Sequence, residues 1–479
     1  MERRRHDVVV VGAGSGGYAA ARTVLDVGCN VALVDPGPLG GLCILRGCMP
    51  SKALIASSDA LYDAREARAL GINVGAIDVD VPYIAARKRA LVRDFADYRI
   101  AGIEEFPLYH GAARFLSPTE IAVGDEVVVE APTFVIATGS VISPGALPGL
   151  DEVGYVDSDA VLDLESIPES VVVLGGGYTA CELGQFLSRM GARTQILIRS
   201  DHLLTQSDDD VGTALTEYFI DEGIEVRTRT KLLRAQQRGG KKVVTYLHEG
   251  EEREAVADEI FYALGRTPNV AGLDLEKAGV AYGPVGIAVD RMLRTTVPNI
   301  YAVGDVTGAY MLVHVAIYQG EVAARNACLH LGEEADYRLI GAHAVFTDPQ
   351  VAVVGMSEKE LRRGGIEYVS GRYDFAEHGK AQCLAKTKGF VKMMADPQSG
   401  VILGAAVIGP QGSELIHEVI VAMRFDATVE QFMRIPHLHP TLAEIWTYPA
   451  EACAGQLGMK IPGDDQVELA TSVASDTRG

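Results

Sequence analysis

An apolar strand that runs into a glycine-rich turn and then into a helix occurs twice in this chain, and that duplication constrains the fold more than any other feature. The first copy is Val8–Val11, then GAGSGG, a helix-prone stretch over Tyr18–Val27, and a second apolar run at Val31–Val34 that closes on Asp35. The second copy lies in Ser170–Arg199: VVVL, then GGGYTA, a helical stretch to Met190 and a strand around Gln195–Ile198. Gly12 precedes Gly28 by 16 positions, Gly175 precedes Gly191 by the same 16, and the copies are 163 residues apart. Two nucleotide-binding βαβ units in one chain predict an α/β protein with Rossmann-like domains.

The turns carry chemistry as well as geometry. Gly12, Gly14 and Gly17 let a backbone approach a pyrophosphate at a helix N-terminus, and Asp35, about 20 residues on, is placed to bind a ribose hydroxyl pair. The competing reading of such a loop is an ordinary tight turn. In the second loop, formed by Gly175, Gly177 and Ala180, the slot equivalent to Asp35 is Ile198, followed by Arg199. An acid there grips a 2′-hydroxyl, whereas an apolar residue followed by arginine suits a 2′-phosphate. The first site therefore reads as one for an ADP-type nucleotide without 2′-phosphate. The second leans to NADP(H), against the alternative that Arg199 is a solvated surface charge.

Composition narrows the partners. The 479 residues carry 43 Lys plus Arg against 64 Asp plus Glu, a formal net charge of −21, which disfavours general nucleic-acid or anionic-lipid binding. No stretch reaches the ~18 apolar residues of a membrane span. Seven cysteines are too few for a disulfide-built secreted scaffold. The opening Met-Glu-Arg-Arg-Arg-His before Val8–Val11 imitates a signal peptide, but cleavage there would destroy the first glycine loop, so the expectation is a cytoplasmic protein. Helix is expected between Asp59 and Asp97, β structure up to Phe134–Ser140, and a linker at Ser143–Gly149. Ala263–Asn269 and Ile300–Asp305 read as exits from the second unit back into the first, and Gly463–Gly479 as a fraying tail.

Gly40–Lys52 reads GGLCILRGCMPSK, with Cys43 and Cys48 five positions apart. Five residues of regular helix advance about 7.5 Å, beyond the ~4.4–6.8 Å between bonded cysteine Cα atoms. A disulfide here needs a distorted helix start, for which Pro50 is well placed, and a helix N-terminus depresses a thiol pKa. Two unrelated buried cysteines are the bland alternative, and no clustered partner ligands support a metal.

With these residues the sequence resembles the class I flavoprotein pyridine-nucleotide disulfide oxidoreductases, which include dihydrolipoamide dehydrogenase, glutathione reductase and mercuric reductase. The resemblance runs from about Asp7 to Glu451 and rests on both glycine loops, C-x4-C-x-P-S-K, FVIATGS, GRTPN, YAVGD, FTDPQVAVVG and HPTLAE. It implies FAD at the first loop and NAD(P)H at the second. By it, Gly12, Gly14, Gly17, Asp35, Thr138, Gly139 and Asp305 belong to the FAD site, with Lys52 beside the flavin and paired with Glu182. Gly175, Gly177, Tyr178, Ala180, Arg199, Gly265 and Arg266 belong to cofactor binding as well. Cys48 is implied to be the thiolate against the flavin, and Cys43 the outer thiol that exchanges with substrate. His439 becomes the general acid–base, oriented by Glu444 and serving the disulfide of a partner subunit in a homodimer; His437 is left as a packing or secondary residue. The implied layout is an FAD-binding domain in two parts (1–147 and 270–336), an NAD(P)-binding domain (148–269), a C-terminal α+β dimerisation domain (337–462) and a polar tail (463–479).

The substrate is less sharply implied. HPTLAE resembles dihydrolipoamide dehydrogenase most closely, while Ser15, Arg22, Tyr178, Ala180 and Arg199 match glutathione reductase positions. Glu321, Thr205, Leu42 and Arg46 depart from one or both patterns. Mercuric reductases carry an adjacent C-terminal cysteine pair, where this chain has only Cys453. Dithiol or lipoamide oxidation therefore ranks first, low-molecular-weight disulfide reduction second and metal-ion reduction third. A flavoprotein without thiol chemistry, acting as a diaphorase or assembly subunit, is opposed by the complete Cys43, Cys48, His439, Glu444 set.

Overall fold

A computed structural model describes residues 2–145 and 147–459; the tail at 463–479 lies outside them. The first glycine loop sits in a five-stranded parallel sheet ordered Ile300–Ala302, Thr133–Ile136, Val8–Val11, Val31–Asp35, Leu108–His110. Such strands are covered on both faces, which is why VVVV and FVI read as unbroken apolar runs rather than alternating ones. Helix Ser15–Asp26 leaves the loop and packs against helix Val313–Leu329. Their crossing is close because both contribute glycine: a Cβ on Gly320 would stand 2.3 Å from the Gly16 carbonyl oxygen.

The second glycine loop sits in a parallel sheet ordered Glu225–Arg227, Arg193–Leu197, Ser170–Leu174, Glu259–Tyr262. The neighbours of its first strand repeat those of the first sheet, so the sequence duplication is a structural one. A three-stranded antiparallel sheet, Lys231–Arg238, Lys241–His248 and Glu251–Ala257, covers it. Strand Arg266–Pro268 then pairs with Ser140–Ile142, closing the exit beside the entry.

The remaining unit is a five-stranded antiparallel sheet, His343–Val345, Gln350–Gly355, Ile402–Gly409, Phe390–Ala395 and Val369–Asp374. Helices Gly412–Arg424 and Thr447–Gln456 pack on it around Trp446, Phe432 and Phe375, all fully buried. The fold class is thus the expected one: two Rossmann-like domains and a C-terminal α+β domain.

Two local features go beyond the sequence pattern. The helix-prone region 59–97 is built from two helices, Cys48–Glu66 and Val81–Ile103. Gly71 turns the chain at φ +82°, and Asp80 caps the second helix by accepting a hydrogen bond from the Tyr83 N–H. The basic opening is a strand, Glu2–Arg5, parallel to Val127–Glu130, with Arg3 paired to Glu120 and Glu130. Among the described residues no helix is long and apolar enough to cross a membrane.

Buried ion pairs knit the units. The Arg189 guanidinium meets Asp59 at 2.7 Å, Glu222 at 2.6 Å and Asp348 at 3.0 Å, one carboxylate from each unit. Lys392 meets Asp208 at 2.7 Å, Asp210 at 2.8 Å and Glu358 at 3.4 Å.

Candidate active site

A helix of regular geometry cannot bring Cys43 and Cys48 together, and the chain does not form one. Leu42–Arg46 and Cys48–Glu66 are separate helices broken at Gly47, whose φ of −132° and ψ of −112° leave the helical region. The break makes Cys48 the first residue of the longer helix. Both cysteines are partly buried free thiols, and the Cys43 thiol donates to the Cys48 sulfur. That bond, assisted by the Lys52 ammonium and opposed by burial, lowers the Cys48 pKa to about 7; the same bond and burial push Cys43 well up. The Lys52 ammonium donates to Glu182 Oε2 at 2.7 Å and stands 4.3 Å from the Phe346 ring centre. The other Glu182 oxygen accepts the Phe346 N–H at 3.0 Å, so helix Tyr178–Arg189 and the C-terminal domain jointly fix the lysine.

A cavity of about 2000 Å³ runs from Gly12 and Gly14 past Asp35, Thr138–Gly139 and Asp305 to Cys43, Cys48 and Lys52, and on to Gly177 and Tyr178. Its first half is shaped for a dinucleotide. Gly12 holds φ +103°, and a Cβ there would lie 2.4 Å from the Ala137 carbonyl oxygen. Gly14 and Gly177, which precede helices Ser15–Asp26 and Tyr178–Arg189, provide no side-chain cap, so first-turn N–H groups face the cavity as anion donors. Asp305 is half-buried, and its desolvation raises its carboxyl pKa; it accepts from Ser140 Oγ at 2.6 Å. Arg266 donates to the same Ser140 through Nε at 2.9 Å and to its carbonyl at 2.9 Å, so it organises this corner of the cavity, which Gly265 also lines. Thr138 Oγ1 donates to the Asn269 carbonyl at 2.7 Å. Asp35 accepts from the Ala13 N–H and the Gly37 N–H, both at 2.7 Å, which ties its carboxylate to the turn it faces.

Four residues read as cofactor-binding do not line the cavity, Arg199 and three small ones. A Cβ on Gly17 would stand 1.8 Å from the Gly12 oxygen, one on Gly175 would stand 2.4 Å from the Ala263 oxygen, and Ala180 is buried in the core. Their smallness serves turn and helix packing. Arg199 is exposed and outside the cavity wall, while Ile198 is buried under Gly176, which leaves no carboxylate in the ribose slot. Tyr178 lines the cavity with its hydroxyl 2.9 Å from His343 Nε2, and burial raises its pKa to about 12. Arg46, in its unusual slot, reaches Asp159 at 3.2 Å.

His439 stands apart. Its Nδ1 lies 3.0 Å from Glu444 Oε2, its side chain is 80% exposed, and it does not line the cavity that holds Cys43. His437 is buried and paired with Glu418, a packing role, and Cys453 is a core thiol bonded to the Met393 carbonyl at 3.4 Å. Sequence reading missed Phe346, although FTDPQ contains it, and His343 and His378, which no motif marks.

The pyridine nucleotide-disulphide oxidoreductase family model matches residues 6–320, and that family's dimerisation-domain model matches 342–450. The chain belongs to this family, whose members use FAD and NAD(P)H, and it is an FAD-dependent disulfide oxidoreductase. It is similar to a dihydrolipoyl dehydrogenase of Chlamydia muridarum, 35% identical over 93% of this chain and 96% of that one. A dihydrolipoyl dehydrogenase of Geobacillus stearothermophilus is 34% identical over 94% and 96%. Among solved structures, the HOCl-induced flavoprotein disulfide reductase RclA from Escherichia coli superposes with a TM-score of 0.82, at 24% identity over 93% of this chain and 99% of that one, a likeness of fold.

Proposed function

We propose that the chain passes electron pairs between a nicotinamide dinucleotide and a dithiol or disulfide substrate through Cys43 and Cys48, with a dihydrolipoamide-type dithiol as first choice. The thiol pair at the broken helix start, with one member poised near neutral pKa, carries the reading. Bound FAD supplies the two-electron link between nicotinamide and cysteines. The chain's own residues do the rest. When Cys43 and Cys48 are joined, a substrate thiolate attacks Cys43 Sγ, and Cys48 leaves as the thiolate that the Lys52 ammonium stabilises. The second substrate thiol gives its proton to His439 and attacks the mixed disulfide, releasing oxidised substrate and the Cys43 sulfur. Glu444 compensates the resulting imidazolium charge. The reverse sequence reduces a disulfide.

His439 comes from a second copy in this reading, since within one chain it is not on the wall that holds Cys43. The protein accordingly works as a homodimer, in the cytoplasm. Low-molecular-weight disulfide reduction is the second reading, favoured by the sealed ribose slot at Ile198 with Arg199 next to it, which suits NADPH. Steady-state assays with dihydrolipoamide, lipoamide and glutathione disulfide, each with both nicotinamides, test the assignment. Lipoamide-type turnover supports the first reading, turnover of glutathione disulfide alone moves it to the second, and reduction of dyes without any disulfide turnover overturns both. NADPH is expected to outperform NADH, and Arg199→Glu to flatten or reverse that preference. A tenfold preference of the unaltered protein for NADH, ~1.4 kcal/mol, refutes it.

A further inference from the structure

Behind the His439–Glu444 pair lies a second imidazole that the proposed chemistry does not use. His378 follows strand Val369–Asp374 and the short turn Phe375–Glu377, and it is 1% exposed. Neither ring nitrogen has a hydrogen-bond partner, yet Nε2 lies 3.5 Å from Glu444 Oε1, the oxygen that His439 leaves free. The ring is held edge-on by Phe375 and Tyr448, with centroids at 6.5 and 6.3 Å and interplanar angles of 80°. A buried polar ring without a partner is rare in a folded core and asks for an explanation. Here the geometry gives one, because the carboxylate beside it is shared with a solvent-facing histidine.

We propose that His378 is a positioning residue for the acid–base pair: its Nε2 edge, 3.5 Å from Glu444 Oε1, is a polar contact that keeps Oε2 turned toward His439 Nδ1. The inference rests on the reading of His439 and Glu444 as that pair. Burial holds His378 below the ordinary histidine range, so it is neutral at neutral pH and leaves the Glu444 charge to His439. Among the described residues the other titratable groups near Glu444 make no hydrogen bond to its carboxylate, although its charge adds to the rise in the His437 pKa. His437, from the same loop as His439, is engaged by Glu418 of helix Gly412–Arg424. Tyr448, from helix Thr447–Gln456, packs against His378 by its ring. A carboxylate held from behind keeps its second oxygen turned to the imidazole in front, as a freely turning one does not.

His378→Phe keeps a ring between Phe375 and Tyr448 and removes the polar edge, whereas His378→Gln restores a polar group within reach. In flavin-replete proteins of matched thermal stability, the His439 resonance, identified by its absence in His439→Ala, is titrated by NMR alongside the pH profile of disulfide turnover. The expected result in His378→Phe is a His439 midpoint lowered by about half a pH unit and turnover reduced about tenfold, short of the ~10²–10⁴ of losing the acid–base group itself. His378→Gln is expected to recover most of both. An unmoved His439 midpoint in His378→Phe overturns the inference, whatever the turnover, and so does a Gln variant that recovers neither. Failure of the underlying reading looks different: His439→Ala retains full disulfide turnover, while the midpoint shift in His378→Phe still reports the coupling.

Discussion

Cys43 and Cys48 are chemically identical side chains made unequal by their surroundings. Cys48 receives a hydrogen bond from Cys43 and the field of Lys52; Cys43 donates that hydrogen bond and keeps its own proton. Because the two interact strongly, the pair loses its first proton as a unit, near pH 7 by the Cys48 value. That pKa is lowered, so the thiolate is present above about 7 and lost as pH falls through it. Iodoacetamide labelling of the reduced protein, followed by mass spectrometry of the 43–48 peptide, is expected to rise with a midpoint near 7. Lys52→Met removes the cation and should move the midpoint up toward the ordinary ~8.5; an unmoved midpoint contradicts the role given to Lys52. The cysteines, Lys52, Glu182, His439 and Glu444 were legible in the sequence because spacing and motif resemblance mark them. His378 and Phe346 were not, since each acts through one tertiary contact made by an element remote in the chain.

Parallel strands buried on both faces announce themselves as apolar runs, and both glycine loops lie where those runs end. What the sequence concealed at this scale is set by partners rather than by local pattern. Glu2–Arg5 has no apolar face, and it becomes a strand because Val127–Glu130 offers an edge and Glu120 and Glu130 offer charge to Arg3. The break between Glu66 and Val81 follows from one glycine at positive φ and one aspartate cap. The crossing of Ser15–Asp26 over Val313–Leu329 is equally a matter of contact, and it is the element on which the first cofactor loop leans. Gly320→Val places its Cβ against the Gly16 backbone, which no side-chain rotation relieves. Overpacking of this kind costs about 1–3 kcal/mol. The expected outcome is a lower melting temperature together with faster loss of flavin on dilution, read by calorimetry and by absorbance of the filtrate. Unchanged flavin retention would show that the crossing does not support the loop.

At the scale of the molecule, the thiols sit among elements tied together by buried ion pairs, whereas the proposed acid–base pair faces outward. Arg189 and Lys392 each bind carboxylates from more than one unit, and breaking a buried network by removing its cation costs about 3–5 kcal/mol, so Arg189→Met should melt early with its cysteines unaltered in sequence position. His439, by contrast, is 80% exposed, and Leu438 and Phe425 on the same domain are each 78% exposed. Large apolar side chains open to solvent on the domain that carries this exposed histidine suit a face covered by a second copy of the chain. If His439 of one subunit serves Cys43 of the other, His439→Ala and Cys43→Ser homodimers are each inactive in disulfide turnover for different reasons. A mixed dimer then contains one site with both defects and one with neither. Random reassortment of equal amounts makes half the dimers mixed, each with one working site of two, so about a quarter of the unaltered activity should return. The reassortment is checked by affinity tags of two kinds, and turnover is measured on the doubly tagged fraction, where half activity is expected. A doubly tagged fraction without activity places His439 and Cys43 in the same subunit's site, or removes His439 from the chemistry.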